Sequence, residues 1–313
     1  MTKNTIKTPE PVDCLAAETG TGATQRERFP DRLTRYGKAR ANALEVLGFI
    51  VENHGHESQH KRLIHDIKHC GNYLLFRDYY TVGEIRLAGA YTCRKHLLCQ
   101  FCAIRRGAKL VQDYHTRYEQ IMQDNPNLTP YLVTFTVKDG ENLPERFSAL
   151  FSALRQYHRR RSRKNASCEA LKAFAAVWSY EIKRGKNSGL WHPHVHAVWL
   201  CESEPNQATI RNEWASIMGD GSFMVDVRPI DTTDPVSGFL EVFKYATKFS
   251  DQPPEDTWHT FETLRGRRLI GSFGAFRGIK EPDTLTDEPL PDELPYIERL
   301  YRYSAGQYHP ATT

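Results

Sequence analysis

The sequence predicts an α+β fold. A small cysteine-rich subdomain precedes a core in the order β-α-β-β-α-β-α, a split βαβ arrangement whose antiparallel sheet is expected to be covered by helices on one face. Three observations predict it. From residue 130 onward, short runs of β-branched and aromatic residues alternate with amphipathic helical patterns. Two adjacent strand-like runs are joined by the turn sequence RGKNSG. Ahead of them, CRKHLLCQFC packs three cysteines together.

The elements follow in order. Residues 1–35 are polar, with scattered Gly, Thr and Pro, and are expected to be disordered or loosely attached. Residues 36–125 form the helical, cysteine-rich region. Helix is expected over 36–69, where ANALEVLGFIVENH supplies an apolar stripe, then a hairpin around Val82 and Gly83. A second amphipathic helix over 103–124 carries Ile104, Val111, Tyr114, Tyr118 and Ile121 on one broad face. The core spans 126–279. YLVTFTV is a strand, and LPERFSALFSALRQYHRRR a helix with Pro144 in its first turn. AFAAVWSYEIK and HPHVHAVWL are strands flanking the turn. NQATIRNEWASIMG is a helix capped by Asn206 and stopped by Gly219. SFMVDVRPI is a strand and VSGFLEVFKYATKFS the final helix. Residues 280–313 are acidic and Pro-rich and are expected to form a tail.

Composition narrows the class. Of 313 residues, 40% are hydrophobic and 26% charged, a globular balance. No segment approaches the roughly 18 unbroken apolar residues of a membrane span. The first twenty residues lack the apolar run of a secretory signal, so a cytoplasmic location is expected. There, clustered cysteines favour metal over disulfides. The net charge of +4 is small, but CAIRRGAKL, YHRRRSRKN and ETLRGRRLIG concentrate positive charge, which suits a polyanion.

The stretch GLWHPHVHAVWL carries the chemistry. Alternate strand residues share a face, so His194 and His196 point one way while Val195 and Ala197 pack on the other. Two neutral imidazoles can clasp one divalent cation. Glu181 ends the preceding strand and is the expected third ligand. Two histidines and a carboxylate with open positions suit Mg²⁺ or Mn²⁺ acting on a phosphate oxygen. His192 shares the parity but sits at the turn beside Pro193, and is the weaker candidate. In the final helix Tyr245 is i+4 from Glu241 and Lys248 is i+3 from Tyr245, so the three share a face. A tyrosine hydroxyl attacks well only when the target is polarised and nearby cations stabilise charge.

Together, YLVTFTV, HPHVHAVWL and EVFKYATK resemble, in order, the three motifs of the replication initiators of rolling-circle plasmids, within the HUH endonuclease superfamily. The resemblance runs from about residue 69 to 250. It implies an HUH-type core and a metal-dependent DNA endonuclease and strand transferase. In that role His194 and His196 are the metal pair. Tyr245 nicks plasmid origin DNA, single-stranded at the cut, leaving a 5′-phosphotyrosine and a 3′-OH primer. Lys248 steadies the phosphate. Glu241 stands where some relatives carry a first tyrosine, so the chain resembles the single-tyrosine subgroup, whose glutamate helps water end the cycle. A host helicase and DNA polymerase are the implied partners.

The C-x5-C-x2-C spacing of Cys93, Cys99 and Cys102 suits structural Zn²⁺, which needs a fourth ligand. Cys70 is the choice that resembles the family's Cys-Gly opening; His65, His69 and His96 are alternatives. Such a knuckle would pin the helix beginning at Arg105 and Arg106 against DNA. A related transposase or relaxase, and a non-catalytic zinc-dependent DNA-binding regulator, are the alternative readings. The Glu241–Tyr245 pair and the cysteines favour the initiator.

Overall fold

The structure, a computed structural model, describes residues 28–161, 167–243 and 252–311. The helices are α1 (Phe29–His54), α2 (Lys61–His69), α3 (Gln100–Asp124), α4 (Leu143–Arg160), α5 (Gln207–Met218), α6 (Pro235–Phe243) and α7 (Pro254–Leu264). The strands are β1 (Tyr73–Tyr79), β2 (Glu84–Ala90), β3 (Thr129–Thr136), β4 (Ala173–Arg184), β5 (Trp191–Cys201), β6 (Val225–Pro229), β7 (Ile270–Phe273), β8 (Ile297–Ser304) and β9 (Gln307–Pro310). No described helix is long and apolar enough to cross a membrane.

Two compact units emerge. The first draws on residues up to Leu110, on residues up to Trp258 in the stretch after 245, and on the chain from Pro282 onward. Its sheet is antiparallel with order β2-β1-β8-β9. The β1–β2 hairpin turns where the sequence predicts, and Gly83 holds the left-handed φ of +69° that a side chain resists. Alternation along β1 buries Leu74, Phe76 and Asp78, and Asp78 is neutralised by Arg299 of β8.

The sheet overturns the expected tail. Residues 297–310 supply two of its strands, and Asp287 is nearly buried at 13% side-chain exposure. Its carboxylate accepts from Arg32, from Arg105 and from the backbone N–H of Leu87. Burial alone would raise this carboxyl; Arg105 and Arg32 outweigh it and hold the group well below the usual carboxylate range. At the other end, residues 29–35, expected to be loose, begin α1. The rest of the 1–27 stretch lies outside the described residues.

The second unit runs from Val111 to Tyr245 and from His259 to Glu281. Its antiparallel sheet has the order β6-β3-β5-β4-β7 and keeps the predicted β-α-β-β-α-β-α sequence through α6. Helix α5 starts and stops as read. Asn206 accepts from Thr209 N–H at 2.9 Å, and Gly219 leaves the helix at φ +67°.

Strand parity divides this sheet into two faces. Phe135, Tyr180 and Trp199 pack under α4 and α5 through ring contacts with Tyr157, Phe147 and Trp214. The other face carries Thr134, Ser179, Glu181, His194 and His196. Helix α6 lies there, not with its fellows: the Ser179 hydroxyl donates to the carbonyl of Val242. The expectation of helices on one face is therefore corrected. A sheet with polar chemistry on one side still leaves apolar positions there, and Phe239, Leu240, Val242 and Phe243 of α6 are buried.

Candidate functional site

The site is built by register. Glu181 of β4 stands directly opposite His194 of β5, and Thr136 of β3 opposes His194 from the other side. One pair along, His196 lies between Ser179 and Thr134. Because the three strands are antiparallel neighbours with the same parity, all these side chains share one face.

Both histidines converge on one oxygen. His194 Nε2 lies 3.1 Å and His196 Nε2 3.0 Å from Glu181 Oε2. The other ring nitrogens fix the tautomers. His194 Nδ1 is 3.2 Å from the carbonyl of His192, which can only accept, so this nitrogen carries the proton. A neutral His194 then aims its Nε2 lone pair at a carboxylate oxygen, and only a proton or a cation between them removes the repulsion. His196 Nδ1 is 3.0 Å from the Thr134 hydroxyl, which can accept from it and free Nε2 in the same way.

Electrostatics fit a cation. Burial alone would raise the Glu181 carboxyl, but the facing His194 and His196 rings outweigh it and hold the group well below the usual range. Burial lowers His194 to about 4, against the pull of Glu181, which keeps the ring neutral and ligand-competent near neutrality. Ligands at right angles on an ion with bonds of ~2.1 Å lie ~3.0 Å apart, which the observed separations match. Glu181 and His194 are buried while His196 is only half-buried, so the cluster is approached from the His196 side.

His192 takes no part in this convergence. Its Nδ1 pairs with Asp139, whose second oxygen accepts from Ser188 at the neighbouring turn. Thr134 and Asp139 were missed by the sequence reading. For Thr134 a signal existed: in YLVTFTV the two threonines fall at alternate positions, marking a polar face. Asp139 follows the strand and offered no pattern.

Glu241 is half-buried on α6, the helix pinned through Ser179 beside the histidines. Tyr245 and Lys248 lie outside the described residues.

In the first unit, Cys70, Cys93, Cys99 and Cys102 are buried together, and their sulfurs lie within 4.8 Å of one another. The fourth position is a thiol, Cys70, rather than His65, His69 or His96. Contacts of 3.4 Å (Cys70–Cys102) and 3.6 Å (Cys70–Cys99, Cys93–Cys102) approach the ~3.8 Å that tetrahedral Zn–S bonds of ~2.3 Å require. Backbone N–H groups of Cys93 and Lys95 donate to sulfurs at 3.3 and 3.4 Å, as suits thiolates. The thiols share protons: hydrogen bonds from Cys102, then Cys70 and Cys93, pull Cys99 down, while Cys102 is pushed up. Four buried thiols cannot all ionise without a cation among them.

The assignment of Arg105 to DNA is corrected. The residue is 2% exposed, and its guanidinium donates to the Leu285 carbonyl, the Tyr36 hydroxyl and Asp287. A guanidinium enclosed by protein acceptors has no face for a phosphate. Arg106 is half-buried.

A family model described as Replication protein (Rep_1) matches residues 84–300, more than half of the chain. No curated protein and no solved structure matches it. The matched span runs across the Glu181, His194 and His196 site and three of the four cluster cysteines, and it shows that the chain belongs to the Rep_1 family of plasmid replication proteins, the rolling-circle replication initiators.

Proposed function

We propose that the chain is a metal-dependent, site-specific DNA endonuclease and strand transferase that opens its plasmid's double-strand origin. The observation that carries the reading is the convergence of two imidazole Nε2 atoms on one buried carboxylate oxygen. Initiators of this family are generally nicking enzymes, and the donor set suits a hard divalent cation, Mg²⁺ or Mn²⁺. Such a cation, bound by Glu181, His194 and His196, supplies Lewis-acid polarisation of the scissile phosphate.

The chain's own groups do the rest. The Tyr245 hydroxyl loses its proton and its oxygen attacks phosphorus. The P–O3′ bond breaks, giving a 5′-phosphotyrosine and a 3′-OH that primes a host polymerase. Lys248 offsets charge on the phosphate. Glu241 orients or deprotonates the water that ends the cycle. The strand must be single-stranded at the nick, so a helicase is the expected partner. The four cysteines hold structural Zn²⁺.

The test uses overlapping single-stranded oligonucleotides tiling the replicon, incubated with protein and Mn²⁺ and resolved on a denaturing gel. A covalent adduct mapping to Tyr245, lost in Tyr245→Phe and on chelation, is expected. An undiminished adduct in Tyr245→Phe refutes the nucleophile. Glu241→Ala should still form adduct but release it slowly; ordinary release removes its role.

A further inference from the structure

The second unit holds a cleft that the proposed chemistry does not use. It lies on the sheet face away from the histidines, between α4 and the edge strand β7, with a volume of about 380 Å³, within the range of ligand-binding clefts. Among the described residues its lining includes Arg155, Arg159 and Arg268 but no carboxylate. Arg155 and Arg159 are one helical turn apart and exposed, with no partner among the described residues. Arg268 spends only its Nε on the Ile270 carbonyl, at 2.9 Å. Three guanidinium groups thus edge one cleft with no carboxylate partner among the described residues.

The floor is aromatic. Trp178 is half-buried and Tyr180 stands two residues on, on the same face. The indole is held in place: His158 packs on it at 4.3 Å between ring centres, and Gly271 opposite it has no side chain to intrude. A Cβ at 271 would lie 2.4 Å from Trp178 Cζ2, so the glycine makes room for the ring. His158 Nε2 is buried and has no hydrogen-bond partner among the described residues. Burial lowers His158 to about 4, so it brings no charge to this cleft.

Cations at the rim and a fixed indole answer two parts of one ligand, phosphate and a flat ring. We infer that this cleft binds a nucleotide unit of single-stranded DNA, its base on Trp178 and its flanking phosphates at Arg155, Arg159 and Arg268. It is a second DNA contact, on the reverse of the sheet from Glu181 and the histidines. The basic run YHRRRSRKN, which the nicking chemistry leaves without a task, begins at this cleft with His158 and Arg159.

The test uses full-length Tyr245→Phe protein in EDTA, so its outcome does not depend on nicking. A 5′-labelled single-stranded 12-mer carrying 5-iododeoxyuridine is irradiated on the protein and the cross-linked peptide mapped. The cross-link is expected at Trp178 or Tyr180. In Arg155→Ala/Arg159→Ala, binding by fluorescence anisotropy should weaken roughly tenfold, with a salt dependence shallower by about 1.4 in log–log slope. Millimolar dAMP that abolishes the cross-link identifies a free nucleotide as the occupant; persistence identifies the DNA chain. A cross-link confined to other peptides, with affinity and salt slope unchanged in the double variant, overturns the proposal.

Discussion

The two donor clusters of this molecule are opposites. Cys70, Cys93, Cys99 and Cys102 are all buried, and all four corners of a tetrahedron are supplied by protein. Glu181, His194 and His196 offer three donors, one of them half-buried, with positions left for other ligands. The first set is soft and closed, the second harder and open. A closed set can only hold the chain together; an open one can also hold a phosphate. The local scaffolds differ to match. The cysteines come from the end of α2, the stretch after the β1–β2 hairpin and the start of α3, so they are carried on three separate segments of chain. The histidines and glutamate come from the paired register of two neighbouring strands, β4 and β5, whose backbone ladder needs no ion.

The largest expected effect therefore falls on the cysteines. If the four thiols hold zinc as proposed, Cys102→Ser should lose it and with it the fold of the first unit, since structural zinc contributes on the order of 10 kcal/mol. Metal content and limited proteolysis check this; a zinc-free variant that resists protease as wild type does would break the comparison. His194→Ala should do the reverse, lowering adduct formation on the order of 10³-fold while the melting temperature barely moves. A melting temperature that collapses would make the second cluster structural too.

Asp287→Asn comes next. It leaves Arg105 buried with a neutral partner, for a loss of about 3–5 kcal/mol by chemical denaturation. The sign with pH follows from the depressed carboxyl: its stabilisation is present above the unfolded value near 4 and is lost as pH falls below it. Wild type should thus lose stability below about pH 4, and the asparagine variant should show a flatter acid limb. The smallest effect belongs to Thr134→Val, which removes the partner of His196 Nδ1. Metal affinity should fall roughly 10–100-fold by titration calorimetry, with the fold intact.

What was legible was what repeats locally. Period-two alternation gave the strands, parity put His194 and His196 on one face, and the hairpin expected around RGKNSG brought Glu181 to them. The cysteine spacing gave the cluster. What was not legible depends on partners far along the chain. Arg105 looked like a phosphate ligand because a basic pair reveals nothing of Asp287, 182 residues away. The segment 280–313 looked like a tail because proline and acid dominate its composition, while β8 finds its partner in β1, with Arg299 and Asp78 221 residues apart, and β9 pairs with β8. Helix α6 carries apolar residues for a sheet face already marked polar, so its side could not be assigned by pattern.

The sheet order β2-β1-β8-β9 also sets a timetable. Strand β1 waits for β8, which leaves the ribosome only after every described strand and helix of the second unit. At 5–20 residues per second, that delay is roughly 10 to 45 s. During it the edge of β1 that will pair with β8 is open. A ribosome that stops before residue 297 releases a chain that holds every described strand of the second unit but lacks β8 and β9 of the first.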